Sequence, residues 1–339
     1  MMKTLFASLL LSTTLLAQQA AIRPGEVWRD NRGQPIQAHG GGILTLGHTY
    51  YWFGEDREQS NDPSLRYVGC YSSRDLVHWT FRSKITLTDP EHIGPHWILE
   101  RPHVFYNSHT KKFVMYAHLD GPLPSDPDGR PYKLARVGVF ISNKADGPYT
   151  FVHSFRPLGQ ESRDIGQFVD DDGKPYLLFE SRPTGGFVLA ALSDDYLTVS
   201  HQVAFFHTRL EGGALVHVGK TYFVMGSHLS GWASNPNVYA SAPSLTGPWS
   251  TFANIAAPEM KTYDSQSTFL LKVVGTKTTS VIYMGDRWEP KTLWDSRYVW
   301  MPLTVSGTTL TLPAPQPWTI NIKTGETHLI PSPASTTKN

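Results

Sequence analysis

The stretch "PIQAHGGGILTLGHTYYWFGED", residues 35–56, decides the fold. It contains two strand-like runs, "ILTL" and "TYYWF", which are joined by Gly47 and His48. Short runs rich in aromatic and branched residues on either side of a glycine turn are typical of a β-hairpin. The stretch therefore predicts one hairpin that has a glycine triplet, residues 40–42, at one end and the paired acids Glu55 and Asp56 at the other.

The same hairpin recurs along the chain in weaker copies. Each copy has a Gly or Lys turn, an aromatic-rich strand and a polar loop. The copies are "TKKFVMYAHLD" at 110–120, "DGKPYLLFESR" at 172–182, "VGKTYFVMGSHLSGW" at 218–232 and "TTSVIYMGDRW" at 278–288. Repeats of roughly 45–60 residues with several strands each are typical of a β-propeller. We therefore predict an all-β fold, a five-bladed β-propeller, rather than a β-sandwich, which would not repeat one pattern five times.

Composition narrows the function classes. The chain has 339 residues, a formal net charge of +1 and 17% charged residues. This balance, without a Lys/Arg cluster, is typical of a soluble globular protein and excludes a basic nucleic-acid binder. The single cysteine, Cys70, excludes an intramolecular disulfide. We expect a monomer with no nucleic-acid or membrane partner.

The termini divide the chain into three parts. Residues 1–20, "MMKTLFASLLLSTTLLAQQA", combine Lys3 with an apolar run and the small residues Ala17 and Ala20. This pattern predicts a secretory signal peptide, and hence a secreted or periplasmic protein, with a membrane anchor as the less favoured alternative. The propeller is expected over 21–320. Residues 321–339 are expected to form a C-terminal tail that is disordered or linker-like at its end.

One polar residue stands ahead of the first strand of each repeat. These residues are His39, Glu100, Asp164, Glu211 and Gln266. In a propeller the inner strands converge on one axial funnel, so residues from distant positions can build a single site there. The neighbouring glycines, residues 40–42 and 212–213, would let the backbone crowd the axis or a ligand approach closely.

Carboxylates that share such a funnel repel one another and are partly desolvated, so at least one pKa should rise. Glycosidases use this arrangement, because a carboxyl group that stays protonated can protonate the leaving oxygen. The alternative is a structural ring of ion pairs with Arg101, Arg163 and Arg209, which are close to the acids in sequence.

The chain resembles glycoside hydrolase family 43, and within it subfamily 24, the exo-β-1,3-galactanases. The stretches that carry the resemblance are "IQAHGGGIL", "YYWFGED", "CYSSRDLVHWTF", "ERPHVFYN", "SRDIGQFVDDDGKPYLLF", "SHLSGWASNPN", "YDSQSTF" and "YMGDRW". They occur in order over nearly all of the chain after residue 20. The resemblance implies a five-bladed propeller that releases galactose from the non-reducing end of β-1,3-galactan with inversion.

The resemblance also implies residue roles. Glu211 matches the general acid, and Asp164 matches the carboxylate that orients the acid and raises its pKa. Glu100 and Glu55 match residues that line the sugar pocket. The broader family has an aspartate base where this chain has His39, so Gln266 is the candidate that holds the attacking water.

Other candidates for substrate binding have structural alternatives. Trp232 could stack on a sugar or pack between blades, and for Tyr116 the core is favoured. Asp286 and Arg297 could line the pocket or form an ion-pair network with their neighbours, which is favoured. Gln37 and His39 complete the candidate set.

No metal site is predicted. The run "VDDDGKPY", residues 169–176, has the acid density of a calcium loop but lacks its spaced ligands, so it indicates a hairpin turn. No H-E-x-x-H or similar spacing occurs, and we expect no cofactor, although a structural ion at the axis is left open. Two other functions also stay open at this point, namely an arabinofuranosidase or xylosidase of the same family and a non-catalytic glycan-binding propeller.

Overall fold

A computed structural model describes residues 20–123, 125–126 and 128–331. Its strands form five antiparallel blades around one axis, so the prediction of a five-bladed β-propeller is confirmed. Apart from Ala20, the predicted signal peptide lies outside the described residues. Among the described residues no helix has both the length and the apolar character needed to cross a bilayer.

Within each blade the strands follow one another in chain order. Blade one contains β1 (His39–Leu46), β2 (Thr49–Glu55), β3 (Arg66–Ser73) and β4 (Thr80–Leu87). Blade two contains β5 (Ile98–Asn107), β6 (Lys112–Asp120), β7 (Arg136–Ser142) and β8 (Thr150–Phe155). Blade three contains β9 (Ile165–Val169), β10 (Pro175–Ser181), β11 (Gly186–Leu192) and β12 (Val199–Phe206).

The remaining strands complete the ring. Blade four contains β13 (Glu211–Val218), β14 (Thr221–Ser227), β15 (Asn237–Ala242) and β16 (Ala253–Asn254). Blade five contains β17 (Gln266–Val274), β18 (Thr279–Arg287) and β19 (Arg297–Pro302). Two hairpins follow, β20 (Thr304–Ser306) with β21 (Thr309–Thr311) and β22 (Trp318–Ile320) with β23 (Thr327–Leu329). Four short helical turns lie at Pro157–Gly159, Pro258–Met260, Lys261–Asp264 and Leu293–Asp295.

The innermost strands β1, β5, β9, β13 and β17 pack side by side in a closed ring. Four of them carry an irregularity in their pairing with the second strand, close to their first residues. Gly40 and Gly212 lie in two of these bulges with φ of +63° and +61°. Glycine is suited to this left-handed backbone, and a Cβ on Gly212 would lie 2.5 Å from the backbone oxygen of Ser267. The glycines of the opening stretch therefore bend β1 where it approaches the axis.

The bulges are joined to the preceding blade by a repeated hydrogen bond. The backbone N–H of Gly40 donates to Asp286 Oδ2 at 2.7 Å, and that of Arg101 donates to Glu55 Oε1 at 3.0 Å. In the same way, the N–H of Gly212 donates to Asp164 Oδ2 at 2.9 Å. A buried N–H without a partner is costly, so these carboxylates stabilise the blade interfaces. Acids at the blade ends thus have a structural role in addition to any chemistry.

Aromatic packing and the two chain ends close the ring between blades one and five. Trp52 and Trp300 lie with their ring centroids 4.6 Å apart, within a core of buried aliphatic and aromatic side chains. Ile22 pairs with Trp318 through a 2.8 Å backbone hydrogen bond. Because β22 pairs with β23, the boundary predicted at residue 320 falls inside a hairpin. The proline-rich composition of this region concealed that hairpin.

Candidate active site

A cavity of about 250 Å³ opens on the face where the innermost strands begin. It is lined by Glu55, Glu100, Arg101, His118, Tyr132, Arg163, Asp164, Arg182, Glu211, Gly231, Trp232, Gln266 and Trp288. Six of these were predicted from sequence, namely Glu55, Glu100, Asp164, Glu211, Trp232 and Gln266. The volume is below the range of about 300–1,000 Å³ that is typical of small-molecule pockets, so the cavity suits little more than one sugar ring.

Glu211 is the first residue of β13 and is 8% exposed. Burial, together with the negative charges of Asp164 and Glu180, raises the pKa of Glu211 to about 8. A carboxyl group with this pKa is mostly protonated at neutral pH, as a general acid must be. Arg182 is the nearest cation, with Nη2 3.9 Å from Glu211 Oε2. Glu211 can therefore donate a proton in the cavity.

Asp164 directly precedes β9 and is held from two sides. Its Oδ2 accepts the Gly212 N–H and lies 3.0 Å from Arg101 Nη2. Gly212 follows Glu211 in sequence, so this hydrogen bond fixes the Asp164 carboxylate beside the acid. The negative charge of Asp164 is therefore held close to Glu211 and raises the pKa of Glu211.

Gln266 begins β17 and uses both ends of its side-chain amide. Its Nε2 donates to Glu211 Oε1 at 3.0 Å and to Ser227 Oγ at 2.9 Å. Its Oε1 accepts from Trp288 Nε1 at 2.9 Å and from the Arg101 guanidinium. A water held by Gln266 must therefore replace one of these partners.

Glu100 is held as a carboxylate. Its Oε1 accepts a 2.8 Å hydrogen bond from the Tyr132 hydroxyl, and its Oε2 lies 3.3 Å from His118 Nδ1. Burial alone would raise the pKa of Glu100, but His118, Arg57 and Tyr132 together lower it to about 2. An ionised carboxylate in a sugar pocket can accept hydrogen bonds from sugar hydroxyls.

His118 contacts the Glu100 carboxylate and also a second acid. Its Nε2 lies 3.0 Å from Asp120 Oδ2, so the ring bridges two carboxylates. Burial disfavours the charged ring, yet the hydrogen bonds and charges of Asp120 and Glu100 raise the pKa of His118 to about 10. The imidazolium therefore balances the charge of Glu100 at neutral pH.

Glu55 lies at the wall of the cavity and has a cationic neighbour. The Arg57 guanidinium contacts Glu55 Oε2, with Nε at 2.7 Å, and its Nη2 lies 3.7 Å from Glu100 Oε1. Burial raises the pKa of Glu55, and Arg57 opposes this rise. Glu55 thus combines a position at the sugar pocket with its bond to the Arg101 N–H of blade two.

The structural ring of ion pairs expected as the alternative is only partly present. Among the described residues, Arg101 pairs with Asp164, whereas Arg163 pairs with Glu161 at 3.2 Å. No ion pair of Arg209 with a funnel acid occurs in the described part of the chain. The other cations that contact the funnel acids are Arg57, His118 and Arg182, which the expected ring did not include.

His39 and Asp286, two of the candidates for substrate binding, contact each other in the structure. The structure places His39 at 0% exposure, with Nδ1 3.0 Å from Asp286 Oδ1 and the ring stacked on Tyr298 at 4.9 Å. Neither His39 nor Asp286 lines the 250 Å³ cavity. Since Asp286 also binds the Gly40 N–H, the pair connects blades one and five rather than facing a sugar in this cavity.

Three further candidates lie elsewhere. Tyr116 is fully buried and donates to the Tyr196 carbonyl at 3.0 Å, which places it in the core. Gln37 and Arg297 line a separate cavity at the side of blade one. Arg297 pairs with Asp295 at 2.7 Å, as the ion-pair alternative expected.

Trp232 lines the 250 Å³ cavity and is 44% exposed. Its ring meets Trp288 edge to face, with centroids 5.3 Å apart. An exposed aromatic face beside a polar pocket suits stacking on the apolar face of a sugar. This position favours the stacking interpretation over packing between blades.

Sequence reasoning missed several residues that surround the acids, among them Arg57, His118, Tyr132, Arg182 and Trp288. The strand register contains a signal for one of them. Glu100 pairs with His118 in the same way that Glu211 pairs with Ser227 and Gln266 pairs with Asp286. Aligning the ends of the second strands would therefore have selected His118.

In the described part of the chain, two groups of side chains have ligand atoms close enough together for a cation, namely Glu100 with His118 and Asp164, and Asp170 with Asp171 and His217. A cation already contacts each group, because Arg101 pairs with Asp164 and Lys272 contacts Asp171. The turn that contains Asp170–Asp172 joins β9 to β10, as expected of a hairpin. On the inner strand β5, His103 is buried, and its burial together with the charge of Arg101 lowers the pKa of its ring to about 3.

Comparisons with known proteins find related enzymes. The model of the glycosyl hydrolases family 43 matches residues 38–268. An exo-β-1,3-galactanase from Phanerochaete chrysosporium, solved as a glutamate-to-glutamine variant with β-1,3-galactotriose, is 38% identical, with a TM-score of 0.83 over 92% of this chain and 71% of that chain. The same enzyme has been solved with galactose.

A second solved structure is the exo-β-1,3-galactanase from Clostridium thermocellum. It is 35% identical, with a TM-score of 0.82 over 91% of this chain and 68% of that chain. No curated protein sequence gives a significant match. The comparison therefore rests on the family model and on the solved structures.

Proposed function

This chain belongs to the glycosyl hydrolases family 43, and on that premise we propose that it is an exo-β-1,3-galactanase that releases galactose from the non-reducing end of β-1,3-galactan. One observation carries the proposal. Glu211 is a buried carboxyl group with a pKa of about 8, beside Asp164, in a cavity suited to one sugar. The relative from Phanerochaete chrysosporium has been solved with β-1,3-galactotriose and with galactose, which supports a galacto-oligosaccharide as substrate.

Glu211 acts as the general acid. In its protonated form it donates a proton to the glycosidic oxygen while the bond to the anomeric carbon breaks. Asp164 keeps Glu211 protonated before the reaction through its negative charge. Glu100, which is ionised and held by His118 and Tyr132, accepts hydrogen bonds from hydroxyls of the terminal galactose.

Water attacks the anomeric carbon on the face opposite the leaving group. The released galactose therefore has the inverted configuration. Gln266 positions this water, which passes a proton to the surrounding solvent as its oxygen bonds to the anomeric carbon. Inverting enzymes need about 6.5–9.5 Å between the acid and the group that serves the water. Because Gln266 Nε2 lies only 3.0 Å from Glu211 Oε1, the entering sugar must break this hydrogen bond, which frees one N–H of the Gln266 amide for water.

An arabinofuranosidase or xylosidase is the second candidate. It would be expected to carry an aspartate base at the position of His39, and here His39 is fully buried against Asp286. A non-catalytic glycan-binding propeller would not require a carboxyl group with a raised pKa such as that of Glu211.

We also propose export of the protein on the basis of residues 1–20, and a monomeric state.

The proposal is tested with purified protein and β-1,3-galacto-oligosaccharides. Early digests separated by size should contain galactose and the substrate shortened by one unit. NMR of the nascent sugar should show α-galactose first. A ladder of intermediate products would contradict exo action, and initial β-galactose would contradict inversion. Sugar binding without any hydrolysis would favour the glycan-binding alternative.

A further inference from the structure

A second cavity lies at the side of blade one. Its volume is about 600 Å³, more than twice the 250 Å³ of the catalytic cavity. The N-terminal segment 26–37, strands β3 and β4, and the loop before β19 form its walls. It shares no lining residue with the catalytic cavity, so a molecule bound there would not contact the catalytic groups. We call it the flank cavity.

Gln37 lines the flank cavity and has one buried side-chain atom that is left without a hydrogen bond in the described part of the chain. Its side chain is 8% exposed, and its Nε2 donates to the Trp294 carbonyl at 2.8 Å. Its backbone N–H donates to the Tyr71 hydroxyl at 3.0 Å, which holds the residue in place. Among the residues that the structure describes, the side-chain Oε1 has no partner. A buried polar atom without a partner costs about 1–3 kcal/mol, so a ligand hydroxyl that reached it would recover this energy.

The charges that line the flank cavity balance. The acids are Glu26, Asp56, Glu58 and Asp295, and the bases are Arg29, Arg32, Lys84 and Arg297. Several of these are paired within the wall, because Lys84 lies 2.6 Å from Glu58 and Arg297 lies 2.7 Å from Asp295. A cavity with many polar groups and no net charge favours an uncharged ligand that can form many hydrogen bonds.

Aromatic rings complete the wall. Trp294 is 40% exposed, and Trp28 is partly exposed beside it in the lining. Phe81 is less available, because the Arg32 guanidinium lies 3.3 Å above its ring. Exposed indole faces next to polar groups suit a molecule that has one apolar and one hydroxylated side. Sugars have this character.

We propose that the flank cavity is a second, non-catalytic binding site for a neutral oligosaccharide. Trp294 provides the stacking face, and Gln37 Oε1 accepts a hydrogen bond from a hydroxyl. The volume lies within the range of about 300–1,000 Å³ for ligand pockets and admits more than one sugar unit. This site gives Gln37 and Arg297 a role in sugar binding at a place separate from the chemistry. A bound chain segment would keep a long substrate near the catalytic cavity.

The test measures binding stoichiometry by equilibrium dialysis with labelled β-1,3-galactobiose and, separately, β-1,6-galactobiose. The protein is the full chain with Glu211→Gln, which keeps substrate intact. We expect two equivalents of at least one disaccharide. The sugar that binds twice identifies the source, since the β-1,3 compound represents the backbone and the β-1,6 compound represents a side branch. Adding Trp294→Ala should remove one equivalent, and adding Trp232→Ala should weaken the other.

Gln37→Leu provides a second variant for the same site and should also weaken the equivalent that Trp294→Ala removes. In the otherwise unchanged enzyme, Trp294→Ala should leave kcat/KM on β-1,3-galactobiose within about twofold, because the flank cavity shares no lining residue with the catalytic cavity. One equivalent of each disaccharide, unaffected by Trp294→Ala and by Gln37→Leu, would overturn the proposal. Binding is measured without turnover, so failure of the proposed catalytic function would not affect this result.

Discussion

Gln266 Nε2 donates a 3.0 Å hydrogen bond directly to Glu211 Oε1. The group assigned to the water and the group assigned to the proton are therefore in contact across the space where the sugar must enter. The two roles are coupled through this contact, because any sugar that reaches Glu211 also breaks the hydrogen bond and frees one N–H of the Gln266 amide. The roles of the two residues can nevertheless be separated by experiment, since Glu211 acts on the leaving oxygen and Gln266 acts on the attacking water.

The first prediction concerns Glu211→Gln. General acid catalysis matters most for a poor leaving group, and its loss should lower kcat on β-1,3-galactobiose by about 10²–10⁴-fold. An aryl galactoside with an acidic phenol needs little protonation, so the same variant should keep much more activity on it. Steady-state kinetics on both substrates check this. Equal losses on the two substrates would argue that Glu211 is not the acid.

The second prediction concerns Gln266→Ala. Every substrate needs the attacking water, so kcat should fall by a similar factor on galactobiose and on the aryl galactoside. Added azide should restore part of the activity, because a small anion can occupy the space. Ser227→Ala is the matched control, since it removes one partner of Gln266 Nε2 but leaves Trp288 and Arg101 on Oε1.

Ser227→Ala should lower kcat less than Gln266→Ala does, because the Gln266 amide is still present and is still held by Trp288 and Arg101. Activity of Gln266→Ala close to wild type on galactobiose would remove this residue from the mechanism. The Glu211–Gln266 contact would then have only a structural role.

Much of the fold could be predicted because it depends on local repeats. The aromatic second strands β2, β6, β10, β14 and β18 each recur in the sequence, and the polar residue before each inner strand follows from aligning them. The hairpin of β22 and β23 could not be predicted in this way. Its stability depends on Trp318 packing against distant parts of the chain, including Ile22 and Trp300.

The site shows where local reasoning ends. His39 and Glu211 occupy equivalent positions, each at the start of an inner strand and before a glycine with φ near +60°. Their surroundings differ because of residues on other blades. Asp286 binds His39 and keeps it buried, whereas Glu211 has two nearby carboxylates and lies at the cavity. The partner across the blade interface, which the sequence pattern does not identify, decides which residue faces the substrate.

The third prediction concerns this interface. Asp286→Ala removes the acceptor of the Gly40 N–H and of the His39 ring, both of which are buried. Stability should fall by about 1–3 kcal/mol for each buried donor left without a partner. Denaturant unfolding measures the loss. Asp286→Asn keeps one side-chain oxygen and should lose less.

Asp295→Ala is the matched control for stability, because its pair with Arg297 is 42% exposed on the aspartate side. Exposed pairs contribute about 0–1 kcal/mol, so its midpoint should change little. Equal stability of Asp286→Ala and Asp295→Ala would show that the His39–Asp286 contact does not hold blades one and five together.

The last prediction concerns the pH profile and its sign. Glu211 must be protonated to act, so kcat/KM should fall as the pH rises through its pKa of about 8. The negative charge of Asp164 raises that pKa, and Asp164→Asn should move the basic limb to lower pH while an oxygen remains to accept the Gly212 N–H. Arg101 lowers the pKa of Glu211, so Arg101→Met should move the limb to higher pH. A purely structural disturbance would lower activity without moving the limb in opposite directions. Shifts of the same sign in both variants would contradict the assignment of Glu211 as the acid that these charges control.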